Sequence, residues 1–247
     1  MRWFVAGATR RGSIRLLLPQ LYHIGTRSIP VVLVVGTFMG MVLAVEAYDQ
    51  FAAIGQESRL GGIINISVVK QIGPVLAAVM IAGRVGGSVS AELGTMRVTE
   101  QIDALSVMGA DPVRYLVVPR VVACVLMVPI LTIFSDLMGI LGGYMVTVEG
   151  FGVQATAYWD FSARFIRTFD YMNGLIKAIF FGVSIGLISC YKGFNCKAGA
   201  AGVGRAATDA FVTSFLTIIV LNFFLAKLVK DMHLLIFGHE GVTAFSG

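Results

Sequence analysis

The sequence has few charged residues. Only 13% of its 247 residues are Asp, Glu, Lys or Arg, whereas soluble domains have about 25%. Apolar residues make up 57%, so a water-soluble fold would have to hide nearly all of its surface from water. The composition therefore favours a protein whose main solvent is lipid, organised as one membrane domain over residues 1–247.

The sequence also lacks the motifs of the common catalytic and metal sites. No G-x-x-x-x-G-K-[ST] loop occurs, so the chain is not expected to bind and hydrolyse ATP. The histidines, His23, His233 and His239, have no Glu or second His at zinc-binding spacing. The three cysteines form no C-x-x-C pair and are expected to be free thiols. We therefore expect no enzymatic activity, no metal and no cofactor bound by this chain.

A net charge of +5 does not by itself indicate nucleic-acid binding. The Lys and Arg residues are spread thinly beside apolar runs and form no continuous basic face. The N-terminal residues lack a long apolar stretch followed by a small-residue cleavage site, so a cleaved signal peptide is not expected. Membrane topology explains the basic residues better than a nucleic-acid partner.

Five apolar stretches are long enough to cross a membrane as helices, since a hydrocarbon core of about 30 Å requires about 20 residues. They are residues 29–45, 60–83, 121–148, 171–191 and 210–226. We therefore predict an all-α integral membrane protein with about five transmembrane helices.

The distribution of basic residues predicts the orientation. Twelve of the nineteen precede the first span, or lie between spans two and three or spans four and five. These are Arg2, Arg10, Arg11, Arg15, Arg27, Arg84, Arg97, Arg114, Arg120, Lys192, Lys197 and Arg205. Because cytoplasmic loops carry an excess of Lys and Arg, the N-terminus is expected in the cytoplasm and the C-terminus, from His233 onward, on the outer side.

Within the N-terminal segment 1–28, residues 13–24 have an apolar face at helical spacing, formed by Ile14, Leu17 and Leu21 among others. This pattern predicts an interfacial helix that leads into the first span. The alternative is an extension of the first span that breaks at Pro30.

Glycines recur four residues apart within the predicted spans. The pairs are Gly36 with Gly40, Gly83 with Gly87, Gly139 with Gly143, and Gly182 with Gly186. Such pairs allow helix backbones to approach closely in lipid. They favour a compact bundle, and a dimeric one.

The segment 84–120 holds eight charged residues between spans two and three. Within it, Val98, Ile102 and Leu105 share one helical face, and Gly109 with Pro112 supplies a stop. We predict a short cytoplasmic amphipathic helix. It could be a solvated helix packed on its own bundle, or a coupling helix seated in a groove of a soluble ATPase.

Four segments of the sequence closely resemble the MlaE/YrbE permease family of MCE-associated ABC transporters. They are AELGTMRVTEQIDALSVMGADPVRYLVVPR (91–120), QIGPVLAAVMIAGRVGGSVS (71–90), AGAAGVGRAATDAFVTS (198–214) and QLYHIGTRSIPVVLVVGTFMGMVLAVE (20–46). The resemblance covers roughly residues 19–228. It is specific enough to favour the coupling-helix interpretation.

This resemblance implies a permease homodimer in the bacterial inner membrane. Two cytoplasmic ABC ATPase subunits, which use ATP and magnesium, would flank it on one side, and periplasmic MCE-domain proteins would cover it on the other. The implied cargo is phospholipid, or a related lipid, exchanged between the inner and outer membranes so that outer-membrane lipid asymmetry is maintained.

The resemblance also assigns residues to two sites. The coupling motif expected to contact the ATPase matches Glu92, Gly94, Thr95, Met96, Arg97, Glu100, Gln101 and Asp103. The positions expected near the lipid cavity are Leu43, Tyr48, Gln50, Lys70 and Gln71. Many relatives carry an acidic residue at the position of Gln71 and an Asp at that of Asn222, which weakens any requirement for a fixed charge there.

Charged residues inside the predicted spans cost about 2.5–3.5 kcal/mol each on insertion scales and so require an explanation. Lys70 could bind a lipid phosphate, or it could extend to the outer interface or pair with Glu46 or Asp49. Asp136 could be a packed, hydrogen-bonded or protonated group, or it could lie on a transport path. The alternative function, a stand-alone secondary transporter or channel, would use Lys70, Asp136 and Lys177 as an ion path. Many secondary transporters contain an inverted repeat. The two halves of this sequence show none, which argues against that alternative.

Overall fold

The computed structural model describes the backbone of residues 11–237 and the side chains of residues 17–232. Its helices are α1 (Arg11–Ala52), α2 (Glu57–Val98), α3 (Gln101–Val107), α4 (Val113–Gly150), α5 (Ala155–Phe165), α6 (Thr168–Phe194) and α7 (Ala200–Phe237). No strand occurs within residues 11–237. The predicted locations of Arg2 and Arg10 and of the tail 238–247 lie outside the described residues.

Five of these helices, α1, α2, α4, α6 and α7, are long and apolar enough to cross a membrane. They contain the five predicted spans, which confirms the prediction of an all-α membrane protein. Helix α2 has 42 residues and, at 1.5 Å per residue, is about 63 Å long. Since a hydrocarbon core is about 30 Å thick, α2 extends well beyond it.

Helix α1 continues without a break through Pro19 and Pro30. Residues 13–24 are therefore continuous with the first span in one helix, and the break at Pro30 that the alternative interpretation included does not occur. Proline removes one backbone hydrogen bond from a helix. Membrane helices tolerate this loss because neighbouring groups satisfy the freed carbonyl.

The segment 84–120 contains more helix than its charge content suggested. Helices α2 and α4 extend into it from either side, and only α3 with its flanking turns connects them. The left-handed backbone of Glu100, with φ of 58°, separates α2 from α3. Gly109, with φ of +77°, ends α3 as predicted, because glycine adopts this conformation without strain. The Asp111 carboxylate then accepts a hydrogen bond of 3.0 Å from the Val113 N–H at the start of α4.

One compact unit comprises residues 11–32, 77–132 and 178–218. Within it, Gly182 and Gly186 of α6 lie against the backbone of α4. A Cβ atom on Gly182 would lie 2.8 Å from the carbonyl oxygen of Cys124, and one on Gly186 would lie 3.0 Å from the Cα of Val121. This glycine pair serves close helix packing, as predicted.

A second compact unit comprises residues 33–76, 133–177 and 219–237. Within it, Gly36 and Gly40 of α1 lie against α4, and a Cβ on Gly36 would lie 2.7 Å from the carbonyl oxygen of Ser135. Gly139 and Gly143 of α4 in turn contact side chains of α2. Three of the four predicted glycine pairs therefore lie against helices of the same chain, and the predicted dimer stays a prediction.

Helix α5 is fixed to α2 by a buried polar network. The Tyr158 hydroxyl donates to the Asn65 Oδ1 atom at 2.9 Å, and the Asn65 amide donates to the Ser162 hydroxyl at 2.7 Å. Burial raises the pKa of Tyr158 to about 12, although its hydrogen bond with Asn65 opposes the shift. Tyr158 therefore remains a neutral donor, and its hydrogen bonds place α5 against the start of α2.

Candidate functional site

The strongest candidate site is built around an irregular turn inside α2. Residues Val68–Ile72 form a π-helical turn, a feature that often occurs at functional sites because it alters the backbone hydrogen bonding of the helix. The carbonyl oxygen of Lys70, within this turn, accepts a hydrogen bond of 3.2 Å from the Nζ atom of Lys177. A side chain of α6 thus bonds to the backbone of α2.

Lys177 is one of the largest fully buried side chains, with a relative exposure of 1%. Its Nζ atom also donates to the Oε1 atom of Gln71 at 2.7 Å. Burial of an amine is costly unless hydrogen bonds compensate for the lost water. The two acceptors of α2 provide that compensation, so Lys177 holds α6 and the π turn together.

Lys70 projects from the same turn and forms an ion pair. Its Nζ atom lies 3.0 Å from the Oδ1 atom of Asp170, near the start of α6. The other carboxylate oxygen of Asp170 accepts a hydrogen bond of 3.1 Å from the Arg167 N–H. The partner of Lys70 is therefore Asp170 and not Glu46 or Asp49, the two partners considered from the sequence. The Lys70 side chain remains 47% exposed.

Lys70, Gln71 and Lys177 line an open pocket with a volume of about 430 Å³, within the range of about 300–1,000 Å³ that is typical of ligand sites. The lining residues are Ile66, Ser67, Lys70, Gln71, Ile72, Asn173, Lys177 and Ala226. The buried Oδ1 atom of Asn173 has no hydrogen-bond partner among the side chains and backbone that the structure describes. The lining contains two amines and no carboxylate, which favours an anionic ligand.

Asp136 lies at a different cavity. It is 6% exposed, its Oδ1 atom has no hydrogen-bond partner within the described part of the chain, and its carboxylate fits against Gly73. The cavity has a volume of about 60 Å³ and is otherwise lined mainly by apolar residues. Asp136 is therefore packed in an apolar site and does not line the pocket of Lys70 and Lys177.

The pocket contains only part of the cavity predicted from the sequence. It includes Lys70 and Gln71, but Leu43, Tyr48 and Gln50 are not among its lining residues. Leu43 and Tyr48 pack on a hydrophobic cluster, where the Tyr48 ring stacks on Phe151 with centroids 3.8 Å apart. Gln50 is exposed.

Three residues of the site, Asp170, Asn173 and Lys177, had not been predicted as cavity residues. They follow one another at intervals of three and four along α6. Residues at these intervals lie on one face of a helix. A polar stripe in an otherwise apolar span was the sequence pattern that could have predicted these three residues as part of the site.

A second candidate site is the turn that contains α3. The Nη1 atom of Arg97, near the end of α2, lies 2.6 Å from the Oδ1 atom of Asp103 in α3, and both side chains are exposed. Glu100 and Gln101 are also exposed. The coupling motif predicted from the sequence therefore presents four polar side chains on the surface of this turn.

Helix α3 divides its apolar residues between the interior and the surface. Ile102 is 4% exposed, whereas Val107 and Met108, at the far end of the helix, are 88% and 72% exposed. Of the predicted apolar face, Ile102 is buried, Leu105 is half-buried and Val98 belongs to α2. Two adjacent large apolar side chains are thus exposed together at the end of α3.

The remaining residues of the coupling motif lie within α2 itself. The Oε2 atom of Glu92 is 3.4 Å from the Nη2 atom of Arg120 in α4. Gly94 is buried, Met96 is half-buried, and the Thr95 hydroxyl donates to a backbone carbonyl one turn earlier in α2. Within this part of the motif, Glu92 joins α2 to α4, whereas the Thr95 hydrogen bond stays within α2.

Residues 17–228 match the family described as Permease MlaE. The chain is 42% identical over 215 residues to a probable ABC transporter permease protein of Rickettsia felis, covering 87% of this chain and 83% of that protein. A probable ABC transporter permease protein of Synechocystis sp. is 41% identical over 215 residues, with coverages of 87% and 82%. The intermembrane phospholipid transport system permease protein MlaE of Haemophilus influenzae is 34% identical over 215 residues, also with coverages of 87% and 82%.

Proposed function

The chain belongs to the MlaE permease family, and on that basis we propose that it is the membrane-spanning permease of an ATP-driven ABC transporter for phospholipids. Residues 1–247 would act as a single permease domain, paired with a second copy. An ABC ATPase would bind ATP and magnesium, so this chain would catalyse no reaction itself. An MCE-domain protein would exchange lipid with the permease on the periplasmic side.

The observation that carries this proposal is the pocket beside the π turn of α2. A phospholipid presents an anionic phosphate beside its acyl chains. Lys70 is half-exposed and can donate to a phosphate oxygen, while Lys177 and Gln71 hold the turn in place. The Oδ1 atom of Asn173, which no described residue pairs with, adds an acceptor for a headgroup donor. This pocket therefore suits a phosphate-containing headgroup.

The turn that contains α3 is the proposed contact with the ATPase. Its exposed Val107 and Met108 can enter an apolar groove, and Glu100 and Asp103 can meet donor groups around that groove. Interfaces commonly combine an apolar centre with a polar rim. The residues of α2 that pack inside the chain are not part of this surface.

The proposed orientation places this turn in the cytoplasm, where the ATPase binds. The basic residues of the turn and of its flanking helix ends, including Arg97, Arg114 and Arg120, agree with the excess of Lys and Arg in cytoplasmic loops. The N-terminus would then be cytoplasmic and the C-terminus periplasmic, in the inner membrane of a bacterium.

The alternative function, a stand-alone transporter or channel with an ion path, receives less support. Such a path would require Lys70, Asp136 and Lys177 to line one passage. In the structure Asp136 lines a different cavity from the two lysines. The lysines instead bond to Asp170 and to acceptors of the π turn.

The test is to purify the tagged permease with its ATPase and to measure the transfer of labelled phosphatidylglycerol and labelled diacylglycerol from liposomes. The variants are Lys70→Gln, Lys70→Arg and the control Lys230→Gln, which alters an exposed lysine of α7. A lost charged hydrogen bond is worth about 1.5–3 kcal/mol. Lys70→Gln should therefore weaken phosphatidylglycerol transfer by about tenfold or more, whereas Lys70→Arg and Lys230→Gln retain it.

Two results would count against the proposal. Purification of the wild-type chain without any ATPase under mild detergent would favour the stand-alone transporter. Equal transfer of phosphatidylglycerol and diacylglycerol, unaffected by Lys70→Gln, would show that the pocket does not bind the phosphate.

A further inference from the structure

Glu92 and Arg120 stand at the two ends of the α3 turn. Glu92 lies in the last part of α2 and Arg120 in the first part of α4, so their ion pair closes the base of the whole connection. The Arg120 side chain is only 9% exposed, whereas that of Glu92 is 45% exposed. A buried guanidinium is thus held by a carboxylate at the edge of the protein.

The end of α2 is also fixed to the last two spans. The Ser90 hydroxyl donates to the carbonyl oxygen of Ala206 in α7 at 3.0 Å. Gly193 of α6 lies so close to α2 that an added Cβ would be 2.7 Å from the Cβ of Leu93. The end of α2 therefore moves together with α6 and α7 unless these contacts break. Helix α4 already packs on α6 where Gly186 lies against Val121, and the ion pair adds a direct link from α4 to α2.

The ion pair itself has an incomplete geometry. Its N–O distance of 3.4 Å exceeds the distance of about 2.7–2.9 Å that is typical of charge-assisted hydrogen bonds. The Nε and Nη1 atoms of Arg120 are buried and make no hydrogen bond with the described residues. A small approach of the two helices could therefore add a second hydrogen bond, which makes this contact adjustable.

We propose that the Glu92–Arg120 ion pair is a joint that makes α2 and α4 move together when α3 is displaced. Glu92 is then a positioning residue and not a contact of the ATPase. This inference rests on the proposed function, because the displacement of α3 comes from the ATPase. When the ATPase moves α3, the joint makes α4 follow α2, and α6 and α7 move with α2. Without the joint, ATP hydrolysis continues but moves less lipid.

The test compares wild-type permease with Glu92→Gln, Arg120→Lys and the charge exchange Glu92→Arg with Arg120→Glu, each co-purified with the ATPase and reconstituted in liposomes. Asp160→Asn, which alters an exposed acid of α5, is the control. The measurements are ATPase recovery, ATP hydrolysis per complex and phosphatidylglycerol transferred per ATP hydrolysed.

Glu92→Gln should recover the ATPase at the wild-type ratio and hydrolyse ATP, but transfer at least about fivefold less lipid per ATP, the lower limit of typical coupling between sites. Arg120→Lys keeps the positive charge but loses the planar guanidinium group that can donate two hydrogen bonds. Its lipid transfer per ATP should lie between those of the wild type and Glu92→Gln. The charge exchange should restore most of the transfer, a rescue that general destabilisation would not produce. The control should match the wild type.

The joint is refuted if Glu92→Gln transfers lipid per ATP as the wild type does, or if it loses the ATPase, which would make Glu92 a partner contact. If Glu92→Gln is not recovered in folded form, the decision passes to the other two variants. The joint is refuted if Arg120→Lys transfers as much lipid per ATP as the wild type. It is also refuted if the charge-exchange variant folds but does not recover lipid transfer. These outcomes leave the proposed function intact, whereas a wild-type chain that recovers no ATPase refutes both.

Discussion

The contact between α1 and α4 at Gly40 allows a quantitative prediction. A Cβ atom added to Gly40 would lie 2.7 Å from the carbonyl carbon and 2.9 Å from the Cα atom of Gly139, and still closer to its carbonyl oxygen. Carbon atoms in contact are ordinarily about 3.5–4.0 Å apart. Gly40→Ala would therefore require the two helix backbones to separate by about 1 Å.

The expected cost follows from two opposing effects. Overpacking a close contact costs about 1–3 kcal/mol, and the upper value applies here because backbone atoms cannot rotate away. Replacement of glycine by alanine inside a helix returns about 1 kcal/mol. The net destabilisation is therefore about 2 kcal/mol, or about 30-fold in the folding equilibrium.

The assay is reversible unfolding in mixed micelles, followed by circular dichroism as the fraction of denaturing detergent rises. The matched control is Gly204→Ala on α7, where an added Cβ would meet no atom within 4 Å. The control should be as stable as the wild type or slightly more stable. If Gly40→Ala unfolds at the same detergent fraction as Gly204→Ala, α1 and α4 do not pack through these glycines.

Three further changes test the other contacts. Lys177→Met should lower the free energy of unfolding by at least about 2 kcal/mol, because it removes the two hydrogen bonds that the buried Lys177 amine donates to the Lys70 carbonyl and the Gln71 side chain; unchanged detergent unfolding would contradict these bonds. Tyr158→Phe should cost about 1–3 kcal/mol in the same assay, because the Asn65 Oδ1 atom loses its donor, and wild-type stability would rule out that bond. Charge reversal of Glu100 and Asp103 to lysine should lower ATPase recovery more than tenfold, since close like charges across an interface cost several kcal/mol. Full ATPase recovery with normal lipid transfer would instead identify the α3 turn as a solvated loop.

The sequence by itself was sufficient for the features that depend on local physics. Apolar runs of about 20 residues predict membrane helices because the bilayer core offers no partner for backbone groups, and all five spans are present. Gly109 ends α3 because glycine tolerates the left-handed backbone found there. The glycine pairs indicated close packing, but not which helix each pair would contact.

Only the tertiary structure decided which polar groups meet. Lys70 pairs with Asp170, one hundred residues away, and Gln71 bonds to Lys177. These contacts depend on how each helix is rotated about its axis. One residue of displacement in the hydrogen-bonding pattern changes the direction of the following side chains by about 100°. The π turn at Val68–Ile72 introduces such a displacement, and the helical periodicity of the sequence did not predict it. The sequence therefore determined the spans, and helix rotation determined the site.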